Sequence, residues 1–337
     1  MDSLTHIALG AVIGEVCAGK SLGRKAMLIG AAAQSFPDID FVLGFFNTPV
    51  DDLLAHRGIT HSFVFGILAT IGLAYLMKRF VRGDAGFTLR HWIIFIGIEI
   101  LMHLTLDSLN SYGTGLLEPF TTQRISFNVF FVADPLFTIW SLAGIGALLI
   151  MKRSNPKRLK VAVLVLAISA GYLGIALTNK IIVNSRAEKT FAQKGLNPEH
   201  YFTSPTPLNI LLWYVVAEAD SGFYIGYSSV FDRDKTIHLE YYPQNNHLLK
   251  SVSNHDEVAK LKRFSQGYYT IEKVEETVVF NDLRFGQIAG WDTPRARFVF
   301  YFFLEKPDMN LLVVQRGRFT GWNKRTFRSF WNRIRGN

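Results

Sequence analysis

Six stretches of the chain are dominated by apolar residues, at about 3–18, 26–46, 62–78, 91–110, 133–151 and 160–178. The last four approach the ~20 residues that an α-helix needs to cross a hydrocarbon layer. The first two are less regular. The 3–18 stretch is short and carries His6 and Glu15, and Pro37 interrupts the 26–46 stretch, where it cannot continue a helix normally. Broken backbone at membrane depth is tolerated where it lines a protein-walled or watery cavity.

Beyond about residue 180 the pattern becomes that of strands. Residues 211–220 and 223–231 read as two strands joined at the turn signal Asp220-Ser221-Gly222, and 236–242, 268–280, 296–305 and 310–316 continue in the same β-rich style. Residues 254–264 read as a short helix. In 316–335, Phe327, Phe330, Trp331 and Ile334 share one helical face among Arg316, Arg318, Lys324, Arg325, Arg328, Arg333 and Arg335. Such a basic amphipathic helix suits a membrane interface, or packs its aromatic face on its own domain. The pattern predicts a multi-pass α-helical membrane domain over 1–180, a mostly β soluble domain over 181–315 and a basic amphipathic tail over 316–337.

Composition agrees with a part-membrane chain: 49% of the 337 residues are hydrophobic, 28 of them Phe. A net charge of +9 then belongs to cytosolic loops and lipid headgroups, since no basic motif has nucleic-acid spacing. The single cysteine, Cys17, forms no intrachain disulfide. No basic region precedes the first apolar stretch, so that stretch is expected to be retained rather than cleaved.

The charges also set an expected topology. Lys20, Arg24 and Lys25 follow the first stretch, Lys78, Arg79, Arg82 and Arg90 the third, and Lys152, Arg153, Lys157, Arg158 and Lys160 the fifth. The alternate loops, 47–61 and 111–132, hold only Arg57 and Arg124. The positive-inside rule puts the basic loops in the cytoplasm and the N-terminus, the two alternate loops and everything after 179 outside. At 1.5 Å per residue His6, Asp38, Asp40, His61, His103 and Asp107 all lie roughly 20 to 26 Å from the cytosolic boundary, in one outer layer.

Those residues are the candidate chemistry. His103 and Asp107 are four apart and project from one helix face. Imidazole with carboxylate suits zinc, and also manganese or iron. Asp38 and Asp40 repel unless a cation or proton lies between them. His56 and His61 flank Arg57-Gly58, where Gly58 allows a turn, and Ser62 opens the next helix as an ordinary cap. Each motif alone has a bland reading: an intramembrane polar pair, a solvated helix stop, a cap. Seven ligand-type residues at one depth are harder to dismiss, because ionisable groups inside a membrane are expensive unless they hold something. Seven exceeds the need of one tetrahedral ion, so either two ions, or one ion with a general base and supporting carboxylates, fits the count. His91 lies at the wrong depth. His200, His238, His247 and His255 lack tight spacing, and His238 with Glu240 reads as a solvated strand face.

MDSLTHIALG, PDID, HRGITHS, HLTLD, YGTGLLEPF and DPLF, in that order over about 1–180, resemble the YdjM family of membrane-bound metal-dependent hydrolases. The His103–Asp107 helix is also similar to the metal-binding helices of zinc-dependent phospholipase C and P1-type nucleases. The resemblance implies a site of His6, Asp38, Asp40, His56, His61, His103 and Asp107. The expected activity is hydrolysis by water activated on one or two divalent ions, most simply zinc, at the outer side of the plasma membrane. Asp40 or Asp107 would serve as general base, and Arg57 or Arg124 would steady an anionic group. Depth favours a phospholipid or another lipid-linked phosphoester. The alternative expectation is a non-catalytic, metal-stabilised scaffold whose outer domain binds a protein partner; a transporter ranks third, with Glu15 as its inner acidic group.

Overall fold

A computed structural model describes residues 1–81, 87–293, 295–305, 310 and 322–336. These divide into two compact units. One comprises 1–46, 55–127 and 131–175, and the other 47–54, 128–130 and 176 onward.

The first unit is helical. α1 (Ser3–Leu22) starts where the Asp2 side chain accepts from the Thr5 backbone N–H, and α2 (Arg24–Gln34) follows the left-handed Gly23. A 3-10 segment (Phe36–Phe45) continues from α2. A 3-10 turn (Ile59–His61) follows, then α4 (Phe63–Phe80), α5 (Leu89–Ser108), α6 (Pro135–Ile150) and the part of α7 (Lys157–Gln193) up to residue 175; the short helix α3 (Pro49–Ala55) falls almost wholly in the second unit, as does α7 from residue 176. Ser62 caps α4 by accepting from the Phe65 N–H, and Asp134 caps α6 ahead of Pro135. Thr88 and His91 form a reciprocal cap on α5, which gives His91 a structural task.

α1 and α2 approach closely through small residues. A Cβ on Gly30 would sit 2.2 Å from the Gly10 carbonyl oxygen, and one on Gly14 would sit 2.2 Å from the Ala26 carbonyl oxygen. Small residues four apart on both helices are what lets membrane helices touch backbone to backbone. Glu15 forms a buried ion pair with Arg158 at 2.7 Å.

Among the described residues three helices, α4, α5 and α7, are long and apolar enough to cross a membrane; a fourth span arises if α2 and the 3-10 segment, bent by 49°, count as one. Six apolar segments were expected to span, so the number is corrected downward. α6 has only 16 residues, and Glu15, Lys20 and small residues dilute the apolar character of the largely buried α1.

The second unit holds seven strands: β1 (Tyr201–Pro205), β2 (Leu212–Ala219), β3 (Gly222–Ser229), β4 (Leu239–Pro243), β5 (Tyr269–Val274), β6 (Thr277–Gln287) and β7 (Phe298–Phe303). They form two antiparallel sheets, β1-β2-β3-β4 and β5-β6-β7, the second irregular between Asp282 and Gln287. β2 is buried on both faces. Trp213, Val215 and Ala217 pack on Val183, Ala187 and Phe191 of α7, while Tyr214 and Val216 meet Leu283 and Phe298 of the second sheet. That explains why 211–220 is a continuous apolar run rather than an alternating one.

The helix expected at 254–264 is α8 (His255–Phe264). In α9 (Lys324–Ile334) the aromatic face is split: Phe330 and Ile334 pack on Leu212, Trp291 and Trp322, whereas Phe327 and Trp331 stay exposed. The strand expected at 310–316 lies almost wholly outside the described residues, as do Arg82, Arg316 and Arg318.

Candidate metal centre

Asp38, His61, His103 and Asp107 bring one ligand atom each to within 4.8 Å of one another, from three separate parts of the helical unit. The 3-10 segment supplies Asp38, the turn before α4 supplies His61, and α5 supplies His103 and Asp107 one turn apart. The His61 and His103 Nε2 atoms are 3.0 Å apart. His61 Nε2 lies 3.5 Å from Asp38 Oδ1 and 3.3 Å from Asp107 Oδ2; for His103 Nε2 the same distances are 3.6 and 3.5 Å. A tetrahedron with bonds of about 2.0–2.1 Å has edges of about 3.3 Å. Five edges of this cluster fall within a few tenths of an ångström of that value, so the four residues fit a zinc-sized ion. Two imidazoles and two carboxylates are also donors that manganese and iron accept. His61, His103 and Asp107 are fully buried, and the Asp38 side chain is 23% exposed, which leaves it as the wettest of the four.

Asp40, expected as a ligand, is not among the four residues whose ligand atoms converge. A 3-10 helix turns once every three residues, so positions two apart face different ways. Asp40 Oδ2 instead accepts from the Arg57 N–H at 2.7 Å, and stands 3.4 Å from His61 Nδ1 and 3.3 Å from His56 Nδ1. A carboxylate behind a ligating imidazole fixes ring orientation and makes it a stronger donor. His56 is one-third exposed and meets the cluster through Asp40 and an edge-on contact with the His61 ring. His6 lies beside the four rather than among them. Its Nε2 is 3.1 Å from Asp107 Oδ1 and its ring stacks on His103 at 3.9 Å. The backbone nitrogen of Met1 also contacts Asp107 Oδ1.

Arg57 and Arg124 both turn inward. Arg57 Nε is 3.1 Å from Asp107 Oδ2, and its other nitrogens donate to Asn110 Oδ1 and the Met1 carbonyl. Arg124 donates to the carbonyls of His56 and Gly113. Both guanidinium groups also lie over the Tyr112 ring. Both hold the loop, and Arg57 also balances the buried charge of Asp107. The expected turn at Gly58 is instead made by Arg57 itself, at φ +60, a left-handed conformation rare for residues with a side chain. Asp40 and Asn110 hold it there.

Sequence reading passed over Asn110, Tyr112 and Glu99. Glu99 is buried on α5, four residues before His103, and neither carboxylate oxygen has a hydrogen-bond partner among the described residues. The signal was present: Glu99, His103 and Asp107 are spaced four apart and so share one face.

Apolar helices surrounding a buried His2Asp2 cluster define an integral membrane protein with a candidate metal centre. Residues 1–182 match the YdjM inner membrane protein family, and the chain belongs to that family. Two relatives show its range. The inner membrane protein YbcI of Escherichia coli K12 is 29% identical over 123 residues, 36% of this chain and 69% of its own length. The uncharacterized protein YfhP of Bacillus subtilis 168 is 26% identical over 153 residues, 43% of this chain and 46% of its own length, so less than half of YfhP is spanned. No solved structure matches.

Proposed function

We propose that the chain is a membrane-embedded hydrolase working through a divalent metal held by Asp38, His61, His103 and Asp107. The observation that carries this reading is the convergence of four ligand atoms within 4.8 Å of one another, with five of their separations between 3.0 and 3.6 Å. An ion bound there supplies Lewis acidity toward water or a substrate oxygen. The chain's own residues do the rest. Asp40 holds the His61 ring, and Arg57 offsets the charge of Asp107. Asp38, on the wetter side, and His56, one-third exposed behind Asp40, are the groups placed to take or return a proton. A site within the helical unit of a membrane protein favours a phospholipid or lipid-linked phosphoester, and the loop charges favour an outward-facing site.

The test is metal analysis of the purified protein, followed by turnover on phospholipids and bis(p-nitrophenyl) phosphate. The expected result is about one equivalent of zinc or another transition metal per chain and measurable hydrolysis, both lost in Asp38→Ala/His103→Ala. Wild-type protein that takes up no metal would overturn the proposal. A second reading, a non-catalytic metal-stabilised scaffold, draws on the full burial of three of the four ligands. Bound metal without turnover on any substrate would favour it.

A further inference from the structure

The β-rich unit contains a cavity of about 340 Å³, within the range of small-molecule sites. Its charge is unlike that of the chain. Asp232, Asp234, Glu240 and Asp292 line it, with Arg333 as the lining cation and His238 at the edge. Arg333 is already matched, since its two Nη atoms donate to the two Asp232 oxygens at 2.6 and 3.0 Å. Three carboxylates thus face the cavity without a lining cation, in a protein whose net charge is +9.

The hydrogen-bond inventory points the same way. The Tyr227 hydroxyl donates to Gln287 Oε1, Gln287 Nε2 donates to the Tyr242 hydroxyl, and that hydroxyl donates to Glu240 Oε2. Gln287 Nε2 also donates to the Ala296 carbonyl. These wall donors are engaged. Among the described residues, what remains open on the lining is one donor, the buried Trp291 indole N–H, and several acceptors: Glu240 Oε1, 4.0 Å from His238 Nε2, the second oxygen of Asp234, and the Asp292 carboxylate. Tyr227, Tyr242 and Trp291 supply aromatic surface on the same lining. Unmatched carboxylates with aromatic rings, and no unpaired arginine or lysine among the described lining residues, are what a positively charged amine requires, through charge-assisted hydrogen bonds and cation–π contact. The same lining repels anions and offers few donors to a neutral sugar.

The geometry points to this cavity as a binding site for a small organic cation, an aliphatic amine or polyamine. All of its residues belong to the β-rich unit, so the inference is independent of the metal centre.

The test uses the full chain in neutral detergent and isothermal titration with spermidine, with maltose and malate as neutral and anionic controls. Saturable 1:1 binding of spermidine alone is expected, weakening as salt rises. The variant Asp234→Asn/Glu240→Gln keeps the oxygens that accept from Thr236 and Tyr242 and removes two charges. It should bind at least about tenfold more weakly. Trp291→Leu should weaken binding while leaving the charges in place, and thermal unfolding would confirm that each variant folds. Absence of saturable binding, or an unchanged dissociation constant in the charge variant, would overturn the assignment. Equal binding of maltose would overturn the charge argument.

Discussion

Asp40→Asn exchanges one carboxylate oxygen for an amide nitrogen at a position where a single oxygen makes the recorded contacts. Oδ2 meets the Arg57 N–H, His61 and His56, whereas Oδ1 is buried without a partner. The asparagine oxygen can take the place of Oδ2, so the loop and the His61 ring keep their acceptor, and only the charge behind the imidazole is lost. Removing such a supporting carboxylate weakens metal binding by roughly 10- to 100-fold. That is about 1.4 to 2.7 kcal/mol of binding free energy. The amide nitrogen placed where Oδ1 was is no worse paired than the oxygen it replaces, so the metal-free variant should unfold close to the wild-type temperature. The assay is competition for zinc against a chelator of known affinity, on chelator-stripped protein, with thermal unfolding of the stripped protein alongside. Asp40→Asn should still reach full metal occupancy at high zinc, whereas Asp38→Asn should not. Equal loss in the two variants would make Asp40 a ligand and refute the arrangement. Wild-type affinity in Asp40→Asn would remove its supporting role.

Other expectations follow from packing and charge. Gly30→Leu drives a side chain into the Gly10 carbonyl and the Glu99 carboxylate and should destabilise the helical unit by more than the ~1–3 kcal/mol typical of overpacking; Gly171→Ala, with nothing within 4 Å, should be neutral or stabilising in the same unfolding assay. Arg158→Met strands buried Glu15 and should cost about 3–5 kcal/mol, and adding Glu15→Met should recover most of it if the pair is structural. Glu99→Met should raise thermal stability, because it removes a buried carboxylate with no partner among the described residues; a loss of hydrolysis with that gain would mark Glu99 as functional. The hydrogen bond from Lys260 holds the Asp51 carboxylate below its usual range. Its contribution is therefore present above the unfolded value of about 3.9 and lost as pH falls through the lower folded value. The stability difference between wild type and Asp51→Asn should be flat at neutral pH and vanish in strong acid.

Much of this was legible in the chain. The apolar runs at 62–78 and 91–110 became α4 and α5, and Asp220-Ser221-Gly222 marked the β2–β3 turn, because both signals are local. What local pattern does not encode was harder to read. α1 counted as a span by its apolar run, but Glu15, Lys20 and its small residues dilute that run, and the use of its glycines for close contact with α2 shows only once the partner helix is in place. Asp38 and Asp40 read as a pair because they are two residues apart in sequence, and in the 3-10 segment Asp38 joins the His61–His103–Asp107 group while Asp40 meets Arg57, His56 and the other side of the His61 ring. Arg57 and Arg124 read as open cations in acid-poor loops, whereas the fold folds them inward onto Asn110, Asp107 and backbone carbonyls. Glu99 was missed because a lone carboxylate in an apolar run draws no attention until its i+4 and i+8 neighbours are recognised as a site.

The cluster joins residues that are far apart along the chain, from Asp38 to Asp107, with three of its four ligands sealed from solvent. An ion in that position is a crosslink between helix-borne segments. It cannot leave by diffusion through an open mouth alone; several donors must swing away together, which requires the 3-10 segment, the His61 turn and α5 to part. Release of the ion would then keep time with the breathing of the helices rather than with the strength of any single coordinate bond. A chelator added to the folded protein would strip it slowly and with the temperature dependence of unfolding. The same chelator present during synthesis would catch the chain before the helices close.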